Sequence, residues 1–424
     1  MSLARTAYEV ATTAAEPLLG LVVRRRLKAG KEIEGRAQER FARTDESRPE
    51  GQLIWMHGAS IGETRLLLET ARELQTRHRG LHYLFTSQTA TAADLIARTI
   101  AEDTALRNAA RHQFAPIDTP AIAKRFIEYW RPDLAVFAEG EIWPNLLKQL
   151  RKRHIPTALI NARMTEKSLA GWGRWPGLSH DLFGRFDVIL AADGRTARGL
   201  KGLAGKAVET PGNLKAALPP PDHDSAEAAR LSASFIGERP CLVAVSTHEG
   251  EEAFVLDALS AMQPRPACII VPRHPERAAS LMRLLDSRGF SVSQRSLKQP
   301  LDLSTDILLA DTLGEVGLFA RLADTVYLGG GHAPGIGGHN PIEILLLGKP
   351  VATGPNVFNF DDTKRDLLGR PGYNIVEKPQ DLAEGFPFEP PSAEVIQSME
   401  AVAREPMEAT VDALLPLLRK EARI

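Results

Sequence analysis

Cysteine is nearly absent from this chain: two residues in 424, Cys241 and Cys268. Both lie inside apolar, strand-like runs. That excludes a disulfide framework and a thiolate zinc site, and it reads as two buried thiols in a reducing compartment. An excess of charge of one sign is also missing. Lys and Arg number 52 against 53 Asp and Glu, a formal net charge of −1, so nothing global favours a nucleic-acid partner. Long apolar runs are absent too. Residues 10–23 are mildly apolar but contain Glu16, and the clean run 17–23 is too short to span a bilayer. A basic cluster, Arg24, Arg25, Arg26 and Lys28, follows that run, whereas a cleavable signal peptide carries its positive charge ahead of it. An amphipathic segment with such a border is expected to lie on an anionic membrane surface; the bland alternative is a soluble first helix with a solvated basic end.

What is present is ordinary core-building material. Hydrophobic residues make up 43% and charged residues 25%, enough to bury the cores of two or three domains at this length. No repeat of solenoid or propeller period interrupts the chain. Strand-like runs at 53–56, 83–86, 113–115, 134–138, 157–160 and 188–191 alternate with helical patterns such as 65–77, 90–100, 120–130 and 144–154. The polar, proline-rich stretch LPPPDHD at 218–224 suits a boundary loop. A second alternating half follows, with strands expected at 242–245, 268–271, around 292, and at 307–310, 325–328 and 350–353. This pattern predicts an α/β chain with two Rossmann-like domains, each a parallel sheet covered by helices, and ligands at the carboxyl ends of strands in a cleft between them. The expected division is a membrane-proximal segment 1–50, a first domain 51–216, a second domain 217–390, and 391–424 packing back on the first as a helix.

Chemistry is expected around residues 329–360, where two glycine clusters, Gly329–Gly331 and Gly337–Gly338, precede a short helix predicted over 342–347. Glycine lets backbone approach an anion closely, and a helix start offers it free N–H groups. Asn340, Pro341 and Glu343 fit the N-cap, N1 and N3 positions, so Glu343 either closes a capping box or meets ribose hydroxyls. The spacing is not that of GxGxxG, which argues against NAD.

Most residues of four further groups follow predicted strands. In the first, residues 57–63, Glu63 opens a helix whose dipole is expected to keep its carboxylate ionised, as a base must be; Ser60 and Glu63 also have capping-box spacing. The second holds Glu139 and Glu141, two apart, with Pro144 placed to begin a helix. Arg163, Lys215, Arg273 and His274 form a cationic set that would neutralise an anionic substrate. Ser246 and Thr247 open another helix, where hydroxyls and N–H groups bind phosphate, though Ser246 with Glu249 again has capping-box spacing. Metal signals are poor: Asp222 and Asp224 sit in the proline-rich loop, and Asp361–Asp362 lacks a third ligand.

The strings HGASIGE (57–63), EGEIWPN (139–145), NAR (161–163), GNLK (212–215), STHEGEE (246–252), VPRHPER (271–277), DTLGE (311–315), GGHNPIE (337–343) and GPNVFNF (354–360) occur in the order found in the 3-deoxy-D-manno-octulosonic acid (Kdo) transferases of lipopolysaccharide biosynthesis, glycosyltransferase family 30, which the chain resembles from about residue 53 to 360. The resemblance implies a GT-B fold and an inverting, metal-independent transfer of Kdo from CMP-Kdo to the lipid A precursor (lipid IVA), at the cytoplasmic face of the bacterial inner membrane. It implies Glu63 as the general base, with Glu141 or Glu139 beside it, and no cofactor apart from the donor substrate. Arg273, His274, Gly337, Gly338, Asn340 and Glu343 would hold CMP, with Ser246, Thr247 and Lys215 near phosphate or sugar carboxylate. Ser60 and Arg163 would face the acceptor or its anionic groups. The chain departs from the family pattern at Gly58, where alanine is more usual, at Gly140, where threonine is common, and at Gly331–His332 in place of Ser-Phe. The implied partners are the two substrates and the inner-membrane surface, through the basic N-terminus, and no nucleic acid. The competing readings are another GT-B enzyme using a UDP-sugar (a transferase or a sugar-nucleotide 2-epimerase) and a peripheral lipid-binding protein without turnover.

Overall fold

The computed structural model describes residues 3–28, 32–217 and 224–418. The chain forms two compact units, residues 1–218 with 404–424, and residues 219–403. The first unit holds a six-stranded parallel sheet of β1 (Leu53–His57), β2 (His82–Ser87), β3 (Ala110–Phe114), β4 (Leu134–Ala138), β5 (Thr157–Ala162) and β6 (Val188–Ala191), in the order β3-β2-β1-β4-β5-β6. The second holds seven parallel strands: β7 (Cys241–Thr247), β8 (Ala267–Pro272), β9 (Val292–Gln294), β10 (Ile307–Leu309), β11 (Thr325–Leu328), β12 (Val351–Thr353) and β13 (Tyr373–Ile375), in the order β13-β12-β11-β7-β8-β10-β9.

The central strands are apolar on both faces because helices cover both sides. Leu53, Ile54, Trp55 and Met56 of β1 are all at most 1% exposed, split between two cores. In the second unit, Cys241 packs into one core and Cys268 into the other, so the thiols are buried on opposite faces of neighbouring strands, and burial raises the pKa of both. Edge strands read less clearly. β3 begins three residues before the stretch expected at 113–115, because its polar Arg111 and His112 were not recognised as strand. There His112 is held between Ser87 Oγ (2.9 Å) and Arg36 (2.8 Å), and burial pushes its pKa down to about 3. β13 was missed altogether: three residues, with Asn374 at the centre. The helix predicted over 342–347 is shorter, Ile342–Leu345.

Residues 218–223 of the expected linker, Asp222 among them, lie outside the described residues. Asp224 caps the helix Ser225–Leu231 through the amides of Ala226 and Glu227. The helix Ala393–Leu418 contributes Val395, Met399 and Ala403 to a core of the second unit, and Met407, Val411 and Leu414 to a core of the first. Residues 419–423 of the helix expected there also lie outside the described residues.

At the amino end, the helix Leu3–Ala15 is tied to the first unit by polar clamps: Arg5 to Asp181 (2.8 Å), Tyr8 hydroxyl to Asp118 (3.0 Å) and Lys148 to Glu9 (2.7 Å). Its outer face and the next helix, Leu19–Lys28, leave Val10, Leu18, Leu21 and Val22 exposed beside the basic cluster. No helix among the described residues is long and apolar enough to cross a membrane.

Sheet order fixes where the loops converge. In the first unit the direction of strand addition reverses between β1 and β4; in the second it reverses between β7 and β11. Open α/β sheets bind ligands in the crevice at such a reversal, beyond the carboxyl ends of the strands. Glu63, Glu139 and Glu141 follow β1 and β4, while His248–Glu251 and Gly329–Gly331 follow β7 and β11.

Candidate active site

In the first unit, β1 ends at His57 and the helix Ile61–Arg77 begins with Ser60 as N-cap, its Oγ accepting from Glu63 N (3.3 Å). The Glu63 side chain turns back over its own loop. It accepts from Ala59 N (2.6 Å) and from Ser60 Oγ (2.9 Å), so Ser60 caps the helix but the reciprocal bond goes to Ala59 N rather than closing a capping box, and Glu63 is only 8% exposed. Gly58 sets the depth of this arrangement: an added methyl would meet Glu63 Cβ at 2.9 Å and Leu67 Cδ1 at 3.0 Å. The helix start expected to keep Glu63 ionised is not the dominant influence on its pKa. Burial raises its pKa, the Ala59 and Ser60 donors only partly offset that, and the charges of Glu141 and Glu139 raise it further.

Glu141 is pushed the other way. Burial alone would raise its pKa, but the hydrogen bond from His57 (Nε2 to Oε2, 3.0 Å) and the Trp143 indole N–H (2.9 Å) bring it below the usual range. Glu139 sits at φ +56°, a left-handed backbone uncommon outside glycine, and pairs with Lys215 Nζ at 2.6 Å. The Lys215 ammonium lies beside the same helix start, since a methyl on Gly62 would meet Nζ at 3.7 Å. Its loop is tied down by Asn161, at φ +49° near the end of β5, whose Oδ1 accepts from Leu214 N (3.0 Å). Thus Glu63, Glu139, Glu141, Ser60 and Lys215 are brought together. Lys215 belongs to the first unit, where it pairs with Glu139. Arg163 follows Ala162 at the end of β5 and is exposed, with no ion pair among the described residues.

In the second unit, β7 runs to Thr247, and Ser246 takes φ +56°. The Ser246–Glu249 capping box does not form: the helix starts later, at Glu251, behind Gly250. Thr247 is fully buried with its hydroxyl donated to Glu252 Oε1 (2.8 Å). Glu252 also takes both Nη atoms of Arg277, so Thr247 is packed away from any ligand.

The first glycine cluster holds a further correction. Its free amides already have an anion: the buried Glu251 carboxylate accepts from His248 N (2.9 Å), Gly330 N (2.8 Å) and His332 N (3.0 Å). A methyl on Gly329 would meet the Ser246 carbonyl oxygen and, at 2.8 Å, Glu251 Oε2, so glycine there admits the neighbouring backbone and this side chain. Gly337 and Gly338, both at positive φ, pack under Phe358 and Val357, which places the loop 354–360 against them.

The remaining donor-site candidates keep an open face. Arg273 and His274, after β8, are exposed. His248 stacks on His339, with ring centres 5.2 Å apart and their Nε2 atoms 2.9 Å apart. Such a bond needs one proton between the two rings, and burial lowers the pKa of both, that of His339 to about 4. The N-cap of Ile342–Leu345 is Pro341, one residue later than expected, yet Asn340 still accepts from Ile342 N and reaches Glu343 Oε1 at 3.3 Å. Surrounding protein raises the Glu343 pKa although its side chain stays open to solvent, as in a recess rather than on a flat face.

Sequence reasoning quoted His57 and Glu251 inside motifs but gave them no role, and passed over Thr86. No local pattern marks them, because their partners come from other strands. Among the described residues no group of three or more His, Cys, Asp or Glu could hold a metal ion; the side chain of Asp362 lies outside them.

The family model for "3-Deoxy-D-manno-octulosonic-acid transferase (kdotransferase)" matches residues 35–218. A 3-deoxy-D-manno-octulosonic acid transferase of Bordetella pertussis is 33% identical over 86% of this chain and 86% of its own length. Its counterpart in Haemophilus influenzae is 31% identical over 79% of this chain and 78% of its own. A solved glycosyltransferase from Rickettsia africae, 12% identical, superposes with a TM-score of 0.50 over 88% of this chain and 97% of that one, a likeness of fold alone.

Proposed function

The chain belongs to the 3-deoxy-D-manno-octulosonic acid transferase family, a family of glycosyltransferases, and on that premise we propose that it moves Kdo from CMP-Kdo to the lipid A precursor by a single, inverting, metal-independent displacement. The observation that carries this reading is the pair of carboxylates at the first unit's strand reversal whose pKa values are driven apart, Glu63 upward and Glu141 downward. Environments that separate two acids in this way assign them different jobs. Glu63 is the general base. A sugar hydroxyl is a poor nucleophile until its proton leaves, and a base with a raised pKa takes that proton with a larger driving force. As the O–H proton passes to Glu63, the acceptor oxygen bonds to the anomeric carbon of Kdo. The bond from that carbon to the phosphate oxygen breaks, and CMP departs with the electron pair. Glu141 stays ionised beside Glu63 and keeps it proton-hungry, and Glu139 holds the Lys215 ammonium over the helix start.

In the second unit, Arg273, His274, Ser246, Gly337, Gly338, Asn340 and Glu343 bind the donor; cations and free N–H groups there stabilise the charge that develops on departing CMP. Arg163 and Ser60 face the acceptor. The exposed apolar residues of the first two helices, bordered by Arg24, Arg25 and Lys28, support peripheral attachment to the cytoplasmic face of the inner membrane. The test is mass analysis of a tetraacylated lipid A precursor after incubation with CMP-Kdo. Addition of one or more Kdo masses is expected, and turnover of UDP-sugars with CMP-Kdo left intact would overturn the reading.

A further inference from the structure

A line of hydrogen bonds runs through the first unit into Glu141, and its polarity is determined by counting protons. The Trp55 indole, a donor only, gives its hydrogen to Thr86 Oγ1 at 2.8 Å. The same hydroxyl lies 2.8 Å from His57 Nδ1, and His57 Nε2 lies 3.0 Å from Glu141 Oε2. An ionised carboxylate only accepts, so Nε2 carries the imidazole hydrogen, Nδ1 offers its lone pair, and the Thr86 hydroxyl donates to it. The opposite neutral tautomer would set an Nε2 lone pair against carboxylate oxygen. The ring cannot turn to escape: it is 2% exposed and caged by Trp55, Phe137 and Trp143, with centres 6.2, 5.9 and 5.7 Å away.

We propose that His57 is a positioning residue: fixed by Thr86 in the Nε2–H tautomer, it donates to Glu141 and holds that carboxylate, charged and aimed, beside Glu63. The inference rests on the reading of Glu63 as the base. The charged groups around the network are Glu63 and Glu139 on the Glu141 side, Lys215 paired to Glu139, and Asp118, whose carboxyl lies near the His57 ring. Glu141 takes a second N–H from Trp143 on the same oxygen, while its Oε1 takes no hydrogen bond from any described residue.

The test combines kinetics with a measurement that needs no turnover. Thr86→Val removes the hydroxyl at nearly constant volume. Supporting partners of this kind typically contribute 10- to 100-fold, so kcat is expected to fall by at least about tenfold with KM little changed. The acid limb of the pH–rate profile, which reports the coupled loss of protons from Glu63 and Glu141, should move up as Glu141 loses its donor. His57→Phe should do the same, whereas Thr86→Ser and His57→Gln, which restore the hydroxyl and an N–H donor, should each recover much of the loss. Nitrogen-15 shifts of the ring, assigned by its disappearance in His57→Gln, should report Nε2–H in the parent and a mixed tautomer in Thr86→Val. An Nδ1–H ring in the parent would overturn the proposal. So would rates that fall only in step with folded protein while the acid limb stays in place. A parent protein that transfers no Kdo would instead sink the functional reading, and the tautomer measurement would still decide this one.

Discussion

Glu63 and Glu251 stand at matching places, each near the start of the helix that follows the first strand of its sheet, and both are buried, at 8% and 1% exposure. Their surroundings differ. Glu251 collects three backbone amides, two of them from the loop after β11, and no other carboxylate competes for them. Glu63 has one amide and one hydroxyl, with two carboxylates close enough to raise its proton affinity. A buried charge that is fully hydrogen-bonded is structural, while one left partly satisfied among like charges is reactive. Position in the fold made both candidates; the count of donors separates them.

The sharpest way to break this comparison is to remove each charge in turn. Glu63→Gln should lower Kdo transfer by at least about 10²-fold, the usual contribution of a general base, with secondary structure intact. Stability should respond in the opposite sense. A folded-state pKa raised above the unfolded one contributes stability at low pH that is lost as pH rises through it. At neutral pH the ionised Glu63 therefore costs stability, and Glu63→Gln should hold or raise the melting temperature. Glu251→Gln should lower it by several degrees, since leaving buried amides poorly paired costs about 1–3 kcal/mol. Equal melting shifts in the two variants would erase the distinction. A smaller effect is expected at Gly58. Alanine there must displace Glu63 or Leu67, and misplacing a catalytic group by a fraction of an ångström should lower kcat about threefold to tenfold without loss of folded protein.

The βα alternation and the apolar central strands were legible from residue pattern, because a strand buried on both faces has nowhere to put polar residues. Edge strands β3 and β13 hid behind His112 and Asn374, whose polarity is absorbed by contacts with distant residues. Glu63, Glu139 and Glu141 could be picked out because each follows a strand. What could not be read was the company they keep. Lys215 is recruited to Glu139 from more than seventy residues away, and His57 reaches Glu141 through a pairing that only the order β2-β1-β4 creates. The glycine cluster at 329–331 misled because Glu251 supplies from within the chain the anion that glycines more often leave to a ligand. Left-handed backbone at Glu139, Asn161 and Ser246, each just before or after a strand end, carries no sequence signal in residues other than glycine.

The most direct measurement is the pH dependence of kcat/KM for Kdo transfer by the parent and by Glu63→Gln. The parent should show an acid limb above the ordinary carboxylate range, activity rising as pH climbs through the raised pKa of Glu63, and the residual activity of the variant should lack that limb. A variant that transfers Kdo at the parental rate, with the same acid limb, would contradict the assignment of Glu63 as the base.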